Sequence, residues 1–228
     1  MSAGRQRVLA AVARALGRAK PDAATRAALE RRLAWPKPNL IPKRAQLQPA
    51  ECVDLFVAMA EDASATVTRL PTAVAAPAAV AEYLRRENLP AQIRIAPDPA
   101  LEGLPWASRP LLRVSRGRTT GGDAVSLTGA FAGIAETGTL MLLSGPASPT
   151  TLNFLPDTHI VLLRADRVVG AYEEAWALLR RATDGVMPRS VNLITGPSRS
   201  ADIEQTLQLG AHGPRRLHIL LIDGGATA

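Results

Sequence analysis

The chain has 228 residues, of which 47% are hydrophobic and 21% are charged, and its formal net charge is +7. This length and apolar content allow one well-packed domain with an appendage, and they exclude wholesale disorder. Apolar stretches fall short of the roughly 18–20 residues that a membrane-spanning helix needs, and no signal-peptide cleavage pattern follows the first residues. The sequence therefore predicts a cytoplasmic protein.

The positive charge is concentrated in the amino-terminal part of the chain. Residues 1–44 hold eleven Lys or Arg against two acids, a net +9, whereas the other 184 residues carry 16 basic and 18 acidic groups, a net −2. Such a basic arm suits an acidic protein partner, an anionic membrane surface or nucleic acid. Nucleic acid is the least favoured, because the chain has eight aromatic residues and no recognisable binding motif. Simple solvation of helix faces by arginine is the alternative.

The arm is predicted to hold two helices, at about 3–19 and 23–34, followed by an extended connector. Three prolines in the segment 35–42 forbid a helix there and mark a domain boundary. We therefore expect a basic helical arm with a Pro-rich linker over 1–44 and an α/β domain over 45–228. Two short amphipathic helices cannot bury their apolar stripes well on each other. They should dock on the main domain or on another chain, and an oligomer through residues 1–44 is one such arrangement.

Beyond the linker, helices and strands are predicted to alternate. Helices are expected at 49–61, 77–86, 172–181 and 200–209, and strands at 65–70, 92–96, 111–115, 139–143, 159–163, 191–195 and 217–222. Several of these strands are apolar on both faces, which is typical of a parallel sheet covered on both sides. The predicted fold class is α/β, with a mainly parallel sheet sandwiched by helices.

Ligands in open α/β sheets gather at the carboxyl ends of strands, and we expect three unusual segments to lie there. The first contains Glu136 among small and apolar residues, followed by Thr137, Gly138 and Thr139. A carboxylate in such surroundings needs partners or a raised pKa. It is a catalytic or ligand-orienting candidate, or else a structural residue that satisfies backbone amides in a buried turn.

The second segment runs from a predicted strand into the predicted helix at 200–209. Its candidate ligand-binding residues share free amides, hydroxyls or charge near a helix start, and they are Gly196, Ser198, Arg199, Ser200 and Asp202. A helix start of this kind suits a phosphate or carboxylate. A plain capped helix is the alternative, since neither the Walker pattern nor the dinucleotide-binding pattern is present.

The third segment is a glycine-rich turn that holds His212, a catalytic candidate, and Gly213, a ligand-binding candidate. His159 precedes an apolar strand and is a further ligand-binding candidate, although turn and core histidines are often structural. The three histidines lack metal-ligand spacing, so no metal site is predicted. Cys52 is the single cysteine, which excludes an internal disulfide or a cluster held by cysteines of this chain.

Four of these stretches occur in a characteristic order over about 80 residues. They are 135–139, 155–160, 196–204 and 210–214, and together they resemble the signature of the LutC/YkgG family of lactate-utilisation (LUD) domains. The resemblance covers roughly residues 50–223. It implies a fold similar to the sugar-phosphate isomerase and CoA-transferase type, NagB/RpiA-like, with an N-terminal helical extension.

The resemblance also implies a function. LutC-type proteins act with iron–sulfur LutA-like and LutB-like proteins in the oxidation of L-lactate to pyruvate. With one cysteine in this chain, the iron–sulfur clusters are expected on the partner subunits, and this chain is expected to be a non-redox subunit without a cofactor. A small ligand bearing a carboxylate or phosphate is expected at the loops that hold Glu136 and Ser198–Arg199.

Two alternatives remain open from the sequence. One is a stand-alone CoA-transferase-like enzyme, in which Glu136 forms a thioester with CoA, or an enzyme that binds an anionic or phosphorylated metabolite through the same residue. The other is a regulatory or nucleic-acid-binding protein that uses residues 1–44 and binds in a steeply salt-dependent way.

Overall fold

The structure, a computed structural model, describes residues 3–17, 20–34, 36–37, 39–202, 206–210 and 212–224. The chain divides into two compact units, Met1–Asn39 and Leu40–Ala228. The smaller unit contains helices α1 (Ala3–Ala15) and α2 (Ala23–Ala34). Both helices were predicted from the sequence, although α1 ends four residues before the predicted end at residue 19. In the described ranges, neither unit has a helix long and apolar enough to cross a membrane.

The larger unit contains five helices and twelve strands in its described part. The helices are α3 (Pro49–Asp62), α4 (Ala76–Arg86), α5 (Pro99–Glu102), α6 (Thr151–Phe154) and α7 (Tyr172–Ala182). The strands are β1 (Thr66–Leu70), β2 (Gln92–Ile95), β3 (Arg113–Arg116), β4 (Val125–Gly129), β5 (Ala132–Ile134), β6 (Thr139–Leu143), β7 (Thr158–Arg164), β8 (Val168–Val169), β9 (Val191–Thr195), β10 (Arg199–Asp202), β11 (Thr206–Leu209) and β12 (Arg216–Ile222).

Six strands form a fully parallel sheet in the order β1-β12-β7-β4-β2-β3. Its central strands β7 and β12 are almost completely buried, as their continuous apolar sequences predict. Helices cover the sheet, so the predicted α/β class with a mainly parallel sheet is confirmed. β4 was not predicted as a strand, because its centre reads Ser-Leu-Thr-Gly and lacks an apolar run.

A second sheet of four strands, in the order β8-β5-β6-β9, packs beside the first. Its pairs β5–β6 and β6–β9 are antiparallel. The strands predicted at 139–143 and 191–195 therefore exist but belong to this mixed sheet. A continuous apolar run indicates that a strand is buried on both faces, but it does not indicate whether the neighbouring strands are parallel or antiparallel.

The helix predicted at 200–209 is wrong. Its backbone forms an antiparallel hairpin in which β10 pairs with β11 from Arg199–Leu209 to Asp202–Thr206. Ser200 followed by acidic residues imitates a helix start, but Thr-Leu-Gln-Leu in β11 alternates with a period of two. Because no helix begins here, the helix dipole and the free backbone N–H groups that were expected to bind an anion are absent from this described hairpin.

Two apolar clusters cover the opposite faces of the parallel sheet. One joins α4 to Ile160, Leu220 and their neighbours, and the other joins α3 and β6 to Val161 and Ile219. A third cluster packs α7 on the mixed sheet. The order of layers is α4, parallel sheet, α3 with the mixed sheet, and α7.

Helix α3 begins with a reciprocal cap. Pro49 occupies its first turn, where a missing backbone N–H costs nothing, and the Glu51 carboxylate accepts a hydrogen bond from the Gln48 backbone N–H at 3.0 Å. Its Phe56 side chain is fully buried and reaches Gly133 of β5, where a Cβ would lie 3.0 Å from the ring. This contact fixes the second sheet against α3.

Candidate functional site

A cavity of about 230 Å³ is lined by several of the residues that the sequence singled out. We call it the Asn153 cavity. Its polar lining consists of Asn153, His159, Thr195, Ser198 and His212, and its remaining lining residues are Phe154, Leu193, Ile194, Gly196, Pro197, Gly213, Pro214 and Leu217. Five of the predicted site residues therefore come together in one place, namely His159, Gly196, Ser198, His212 and Gly213.

The Asn153 cavity lies at the amino-terminal edge of the parallel sheet. His159 and Leu217 are the second residues of β7 and β12, and they lie opposite each other in the parallel pairing of these two strands. The expectation that the site lies at the carboxyl ends of the parallel strands is therefore wrong for this cavity. Thr195 is the last residue of a strand and Gly196 follows it, but that strand is β9 of the mixed sheet.

His159 is fully buried, and its Nε2 atom lies 2.8 Å from the Thr128 hydroxyl. Its other ring nitrogen, Nδ1, is buried without a hydrogen-bond partner. Burial lowers the pKa of His159 to about 3, because a charged imidazolium would lose its hydration. The ring is therefore neutral at physiological pH.

Asn153, on α6, is also almost completely buried, with 1% of its surface exposed. Its amide nitrogen and its amide oxygen both lack a hydrogen-bond partner. A buried amide that forms none of its bonds costs stability, about 1–3 kcal/mol for each unsatisfied group. Such an amide is rare among buried side chains, which makes Asn153 a candidate functional residue.

Ser198 and the glycine-rich turn are held together by backbone hydrogen bonds. The Ser198 N–H donates to the Pro214 carbonyl at 2.8 Å, and the Gly210 N–H donates to the Ser198 carbonyl at 2.9 Å. Gly213 leaves little room, since a Cβ there would lie 3.2 Å from the Ser198 Cβ. These contacts place the Ser198 hydroxyl beside the turn that carries the exposed His212.

Arg199 does not line the Asn153 cavity. Its guanidinium donates to the Ala63 carbonyl and to the Ser64 hydroxyl, in the turn between α3 and β1. Gly196 approaches the same turn so closely that a Cβ would lie 2.1 Å from the Ala63 carbonyl oxygen. Arg199 thus anchors the β10–β11 hairpin. The side chains of Ser200 and Asp202 lie outside the described part of the structure.

Glu136 lies outside the Asn153 cavity, in the single helical turn that directly follows β5. Its side chain is 7% exposed, and Oε1 accepts a hydrogen bond from the Tyr172 backbone N–H at 3.0 Å. Tyr172 is the first residue of α7, so the carboxylate satisfies a free amide at that helix's amino terminus. This geometry favours the structural interpretation of Glu136.

The residues after Glu136 form a closed network of hydroxyl groups. The hydroxyl of Thr139 is hydrogen bonded to those of Thr137 at 2.7 Å and Tyr172 at 2.9 Å. We call Glu136, Thr137, Thr139 and Tyr172 the Glu136 cluster. Gly138 lets this turn sit on α3, because it has φ +62° and a Cβ would lie 2.3 Å from the Ala60 nitrogen.

One hydrogen bond connects the Glu136 cluster to the Asn153 cavity. The Thr139 hydroxyl lies 2.6 Å from the Thr195 hydroxyl, and Thr195 lines the cavity. Of the three candidates Glu136, Arg199 and His212, which the sequence places in separate segments, only His212 lines the cavity. Glu136, Thr137, Gly138 and Thr139 do not line the cavity, and Thr139 is hydrogen bonded to the lining residue Thr195.

Asn153 is the functional candidate that sequence reasoning missed. The available signal was an amide between Leu152 and Phe154, in a segment also rich in threonine. An asparagine there reads as an ordinary turn residue. Its burial depends on α6 packing against β4 and β7, where the Ser126 hydroxyl donates to the Leu152 carbonyl at 2.6 Å.

His218 is a second buried histidine, but it lies on the opposite face of the sheet. Its ring stacks on Tyr83 with centroids 3.9 Å apart, and Nδ1 lies 2.8 Å from the Thr66 hydroxyl. Burial, followed by the nearby Arg86 charge, lowers the pKa of His218 to about 4. Within the described ranges, no three His, Cys, Asp or Glu side chains are grouped as a metal ion would require.

Comparison with known proteins gives a consistent result. The family model of the LUD domain matches residues 53–222. An uncharacterized protein of Neisseria meningitidis is 46% identical over 95 residues, 42% of this chain and 40% of that protein. Proteins named lactate utilization protein C from Geobacillus sp. and Bacillus subtilis are 36% and 35% identical over 91 and 92 residues, 39% and 40% of this chain. These matches span about 38–40% of the length of the relatives.

A solved structure shares the fold. The crystal structure of a DUF162 family protein from Deinococcus radiodurans has a TM-score of 0.57 and 25% sequence identity to this chain. The match covers 78% of this chain and 99% of the other. The structural similarity therefore extends well beyond the stretch of about 90 residues that is shared with the curated relatives.

Proposed function

Because this chain belongs to the LUD domain family, we propose that it is a LutC-like, non-redox subunit of a cytoplasmic system that oxidises L-lactate to pyruvate. The observation that carries the proposal is the match of the LUD family model to residues 53–222, with several relatives named lactate utilization protein C. The partners are iron–sulfur LutA-like and LutB-like proteins, which supply the electron carriers.

The residues of this chain support a role in binding. Its single cysteine, Cys52, lies on α3 and is buried, and this burial raises the pKa of its thiol. The lining of the Asn153 cavity holds amide, hydroxyl and imidazole groups, which bind and orient small polar molecules. The chain thus offers hydrogen bonds to a ligand, and the electrons from lactate pass to groups held by its partners.

The basic arm offers a way to hold those partners. Arg26, Arg31 and Arg32 are all exposed on α2. A cluster of exposed arginines attracts an acidic surface and speeds its encounter, with an effect that weakens as salt is raised. We assign the arm to docking of an acidic face of an iron–sulfur partner.

The proposal is tested in the source organism by deleting the gene and by purifying the tagged chain from cells grown on L-lactate. We expect the deletion strain to lose growth on L-lactate and to keep growth on pyruvate, which needs no lactate oxidation. The purified chain should bring down brown iron–sulfur proteins and reduce a dye when L-lactate is added. Normal growth of the deletion strain on L-lactate would refute the proposal.

The arm is tested by a charge change within the same preparation. Replacing Arg26, Arg31 and Arg32 by glutamine should reduce the yield of co-purified iron–sulfur proteins at low salt. The matched control replaces Arg180, Arg181 and Arg189 in and after α7, which removes the same charge from the larger unit. Equal losses in the two variants would show that net charge, and not the arm, determines the association.

The alternative enzyme, with Glu136 as a nucleophile toward CoA, has a separate test. Its carboxylate already accepts a backbone hydrogen bond and is almost fully buried, which does not favour attack on an acyl-CoA. A CoA adduct on Glu136 that is detected by mass spectrometry and lost in Glu136→Gln would establish that enzyme. Absence of the adduct with several acyl-CoAs would exclude it.

A further inference from the structure

The amino-terminal arm exposes apolar side chains that its two helices leave uncovered. No residue described in α1 or α2 is buried. The exposed fractions lie between 48% and 63% for Val8, Leu9, Val12, Leu16 and Leu29. Isolated helices of up to roughly 12–15 residues are marginal in water, and most of the stability of a helix comes from packing of its apolar face. The arm therefore lacks part of the packing that a stable helical unit has.

Most of these side chains line a groove between α1 and α2, which we call the arm groove. Its volume is about 640 Å³, and its apolar lining includes Leu9, Val12 and Leu16 on one side and Leu29 on the other. The Leu16 N–H donates to the Val12 carbonyl at 3.0 Å, so the helical path of α1 continues as far as Leu16. The seven residues from Leu9 to Leu16 correspond to about 10 Å, or two helical turns. The arm groove therefore matches two turns of a third helix in length.

Cations surround the arm groove. Lys20 lines it, and Arg26 and Arg32 lie three residues before and after Leu29, so both are neighbours of Leu29 on the surface of α2. All three cationic side chains are exposed. The described residues that line the groove include no Asp or Glu, and residues 1–44 hold eleven basic against two acidic residues. The groove therefore complements a molecule that combines apolar side chains with negative charge.

An amphipathic helix fits the arm groove better than other negatively charged or apolar partners do. A nucleic acid would pair with the cations and leave the leucines uncovered. A second copy of the arm would bring the same positive charges to the same face. A bilayer surface would leave the space between two helices unfilled, whereas an amphipathic helix inserts a row of side chains at i, i+3, i+4 and i+7 into such a groove.

We propose that the arm groove binds one acidic amphipathic helix of a partner protein. The apolar face of that helix packs on the leucines of the groove, and its carboxylates face Lys20, Arg26 and Arg32. Binding completes a three-helix bundle from the two helices of the arm. The identity of the partner as an iron–sulfur protein rests on the proposed function, whereas the chemistry of the bound helix rests on the groove alone.

The test is fluorescence anisotropy of a labelled synthetic peptide that is titrated with the full-length chain. The peptide has about 14 residues, or about four helical turns, with leucine at i, i+3, i+4 and i+7 and with glutamate or alanine elsewhere. A second peptide keeps the leucines and has lysine in place of each glutamate. The acidic peptide should bind at least about tenfold more tightly than the basic one, and its affinity should fall as salt is raised. Equal affinities for the two peptides, or no binding of the acidic peptide, would overturn the proposal.

Two leucine variants locate the bound helix. Leu9→Gln removes an apolar side chain from the groove and should lower the affinity for the acidic peptide about tenfold, because the burial of that side chain is lost. The matched control is Leu111→Gln, which removes a leucine that is 87% exposed on the larger unit and should change the affinity by less than about twofold. Glutamine and leucine have similar helix propensities, so Leu9→Gln keeps α1 helical, which circular dichroism checks. Equal losses in the two variants would contradict the placement of the helix in the arm groove.

Two further measurements address the other occupants. Co-sedimentation with vesicles of equal parts phosphatidylcholine and phosphatidylglycerol tests the bilayer surface, and sedimentation velocity of the full-length chain tests a second copy. Vesicle binding that Leu9→Gln abolishes would assign the groove to a membrane, and a dimer that Leu9→Gln abolishes would assign it to a second copy. Either result would overturn the proposal. We expect a monomer that binds the acidic peptide and does not sediment with the vesicles.

The outcome is separable from that of the proposed function. If the acidic peptide fails to bind although the deletion strain still loses growth on L-lactate, the assignment of the arm groove is wrong and the subunit role stands. If the acidic peptide binds with the expected dependence on Leu9 but the deletion strain grows normally, the subunit role is wrong and the arm groove serves a partner in another system.

Discussion

The Glu136 cluster and the Asn153 cavity are two polar regions that meet at the hydrogen bond between Thr139 and Thr195. In the Glu136 cluster, the carboxylate accepts from a helix amide and the hydroxyls bond one another. In the Asn153 cavity, the amide of Asn153 and Nδ1 of His159 have no partner. The comparison separates a joint that stabilises the fold from a region whose buried groups are unpaired, since satisfied and unsatisfied buried groups affect stability in opposite directions.

The largest expected effect concerns acid stability. The pKa values of the two buried histidines, about 3 for His159 and about 4 for His218, lie below the unfolded value near 6.5. The unfolded chain therefore binds more protons between these limits, and folding stability is full above pH 6.5 and falls as the pH drops toward 4. Between pH 7.5 and 4.5 the loss should be on the order of 5 kcal/mol for both histidines together.

Urea unfolding at several pH values measures this loss. In His159→Gln the slope of unfolding free energy against pH should fall by about half between pH 6.5 and 4.5, because one of the two titrating groups is gone. Asp123 and Asp166 have lowered pKa values and lose their contributions only below about pH 4, outside this window. A slope that His159→Gln leaves unchanged would mean that His159 is protonated in the folded protein.

The next effect tests the close packing of the Glu136 cluster on α3. Gly138→Ala adds a Cβ at φ +62°, 2.3 Å from the Ala60 backbone nitrogen, so helix and turn must separate. We expect a loss of about 3 kcal/mol, from left-handed strain and overpacking together. The matched control is Gly145→Ala, which meets nothing within 4 Å and should change the unfolding free energy by less than about 1 kcal/mol.

Glu136 itself should show a smaller effect. Glu136→Ala leaves the Tyr172 amide without its acceptor and should cost about 2 kcal/mol in unfolding free energy. Glu136→Gln keeps a carbonyl oxygen for that amide and should retain most of the stability and of the lactate-dependent dye reduction. Loss of dye reduction in a stable Glu136→Gln protein would move Glu136 from the structural joint to the catalytic machinery.

The smallest effect has the opposite sign. Asn153→Leu removes two unsatisfied buried groups and keeps the volume, so the ligand-free protein should become more stable by about 1 kcal/mol. Thermal unfolding of the purified variant and of the unchanged chain measures this difference. If Asn153→Leu is less stable than the unchanged chain, the Asn153 amide has partners in solution and the contrast with the Glu136 cluster fails.

Sequence patterns predicted the elements whose stability comes from local composition and burial. The apolar runs of β7 and β12 and the amphipathic helices α4 and α7 follow the predicted bounds within two residues. β4 could not be predicted in this way, because the buried Ser126 and Thr128 are satisfied by Leu152 and His159, which are distant in the sequence. The helix at 200–209 was predicted wrongly for another reason, because Ser200 and the acidic residues after it imitate a helix start in a segment that pairs with itself as a hairpin.

The sequence indicated several of the residues that line the cavity, but it did not indicate which of the candidates lie together in space. His159, Ser198 and His212 were singled out as chemically unusual, and the fold brings them to one cavity. The separation of Arg199 and Glu136 from that cavity depends on Ala63 and Tyr172, whose positions only the tertiary structure gives. Asn153 was missed because its burial, and not its local sequence, makes it unusual.

The order of strands in the parallel sheet has a consequence for biosynthesis. β12 lies between β1 and β7, so Thr66 pairs with His218 across 152 residues of sequence. Until the segment Arg216–Ile222 has left the ribosome, β1 has no neighbour and one edge of the apolar β7 stays open. Contacts this distant slow folding, and uncovered strand edges invite aggregation. A nascent chain of this protein should therefore depend on chaperones until Arg216–Ile222 has emerged from the ribosome.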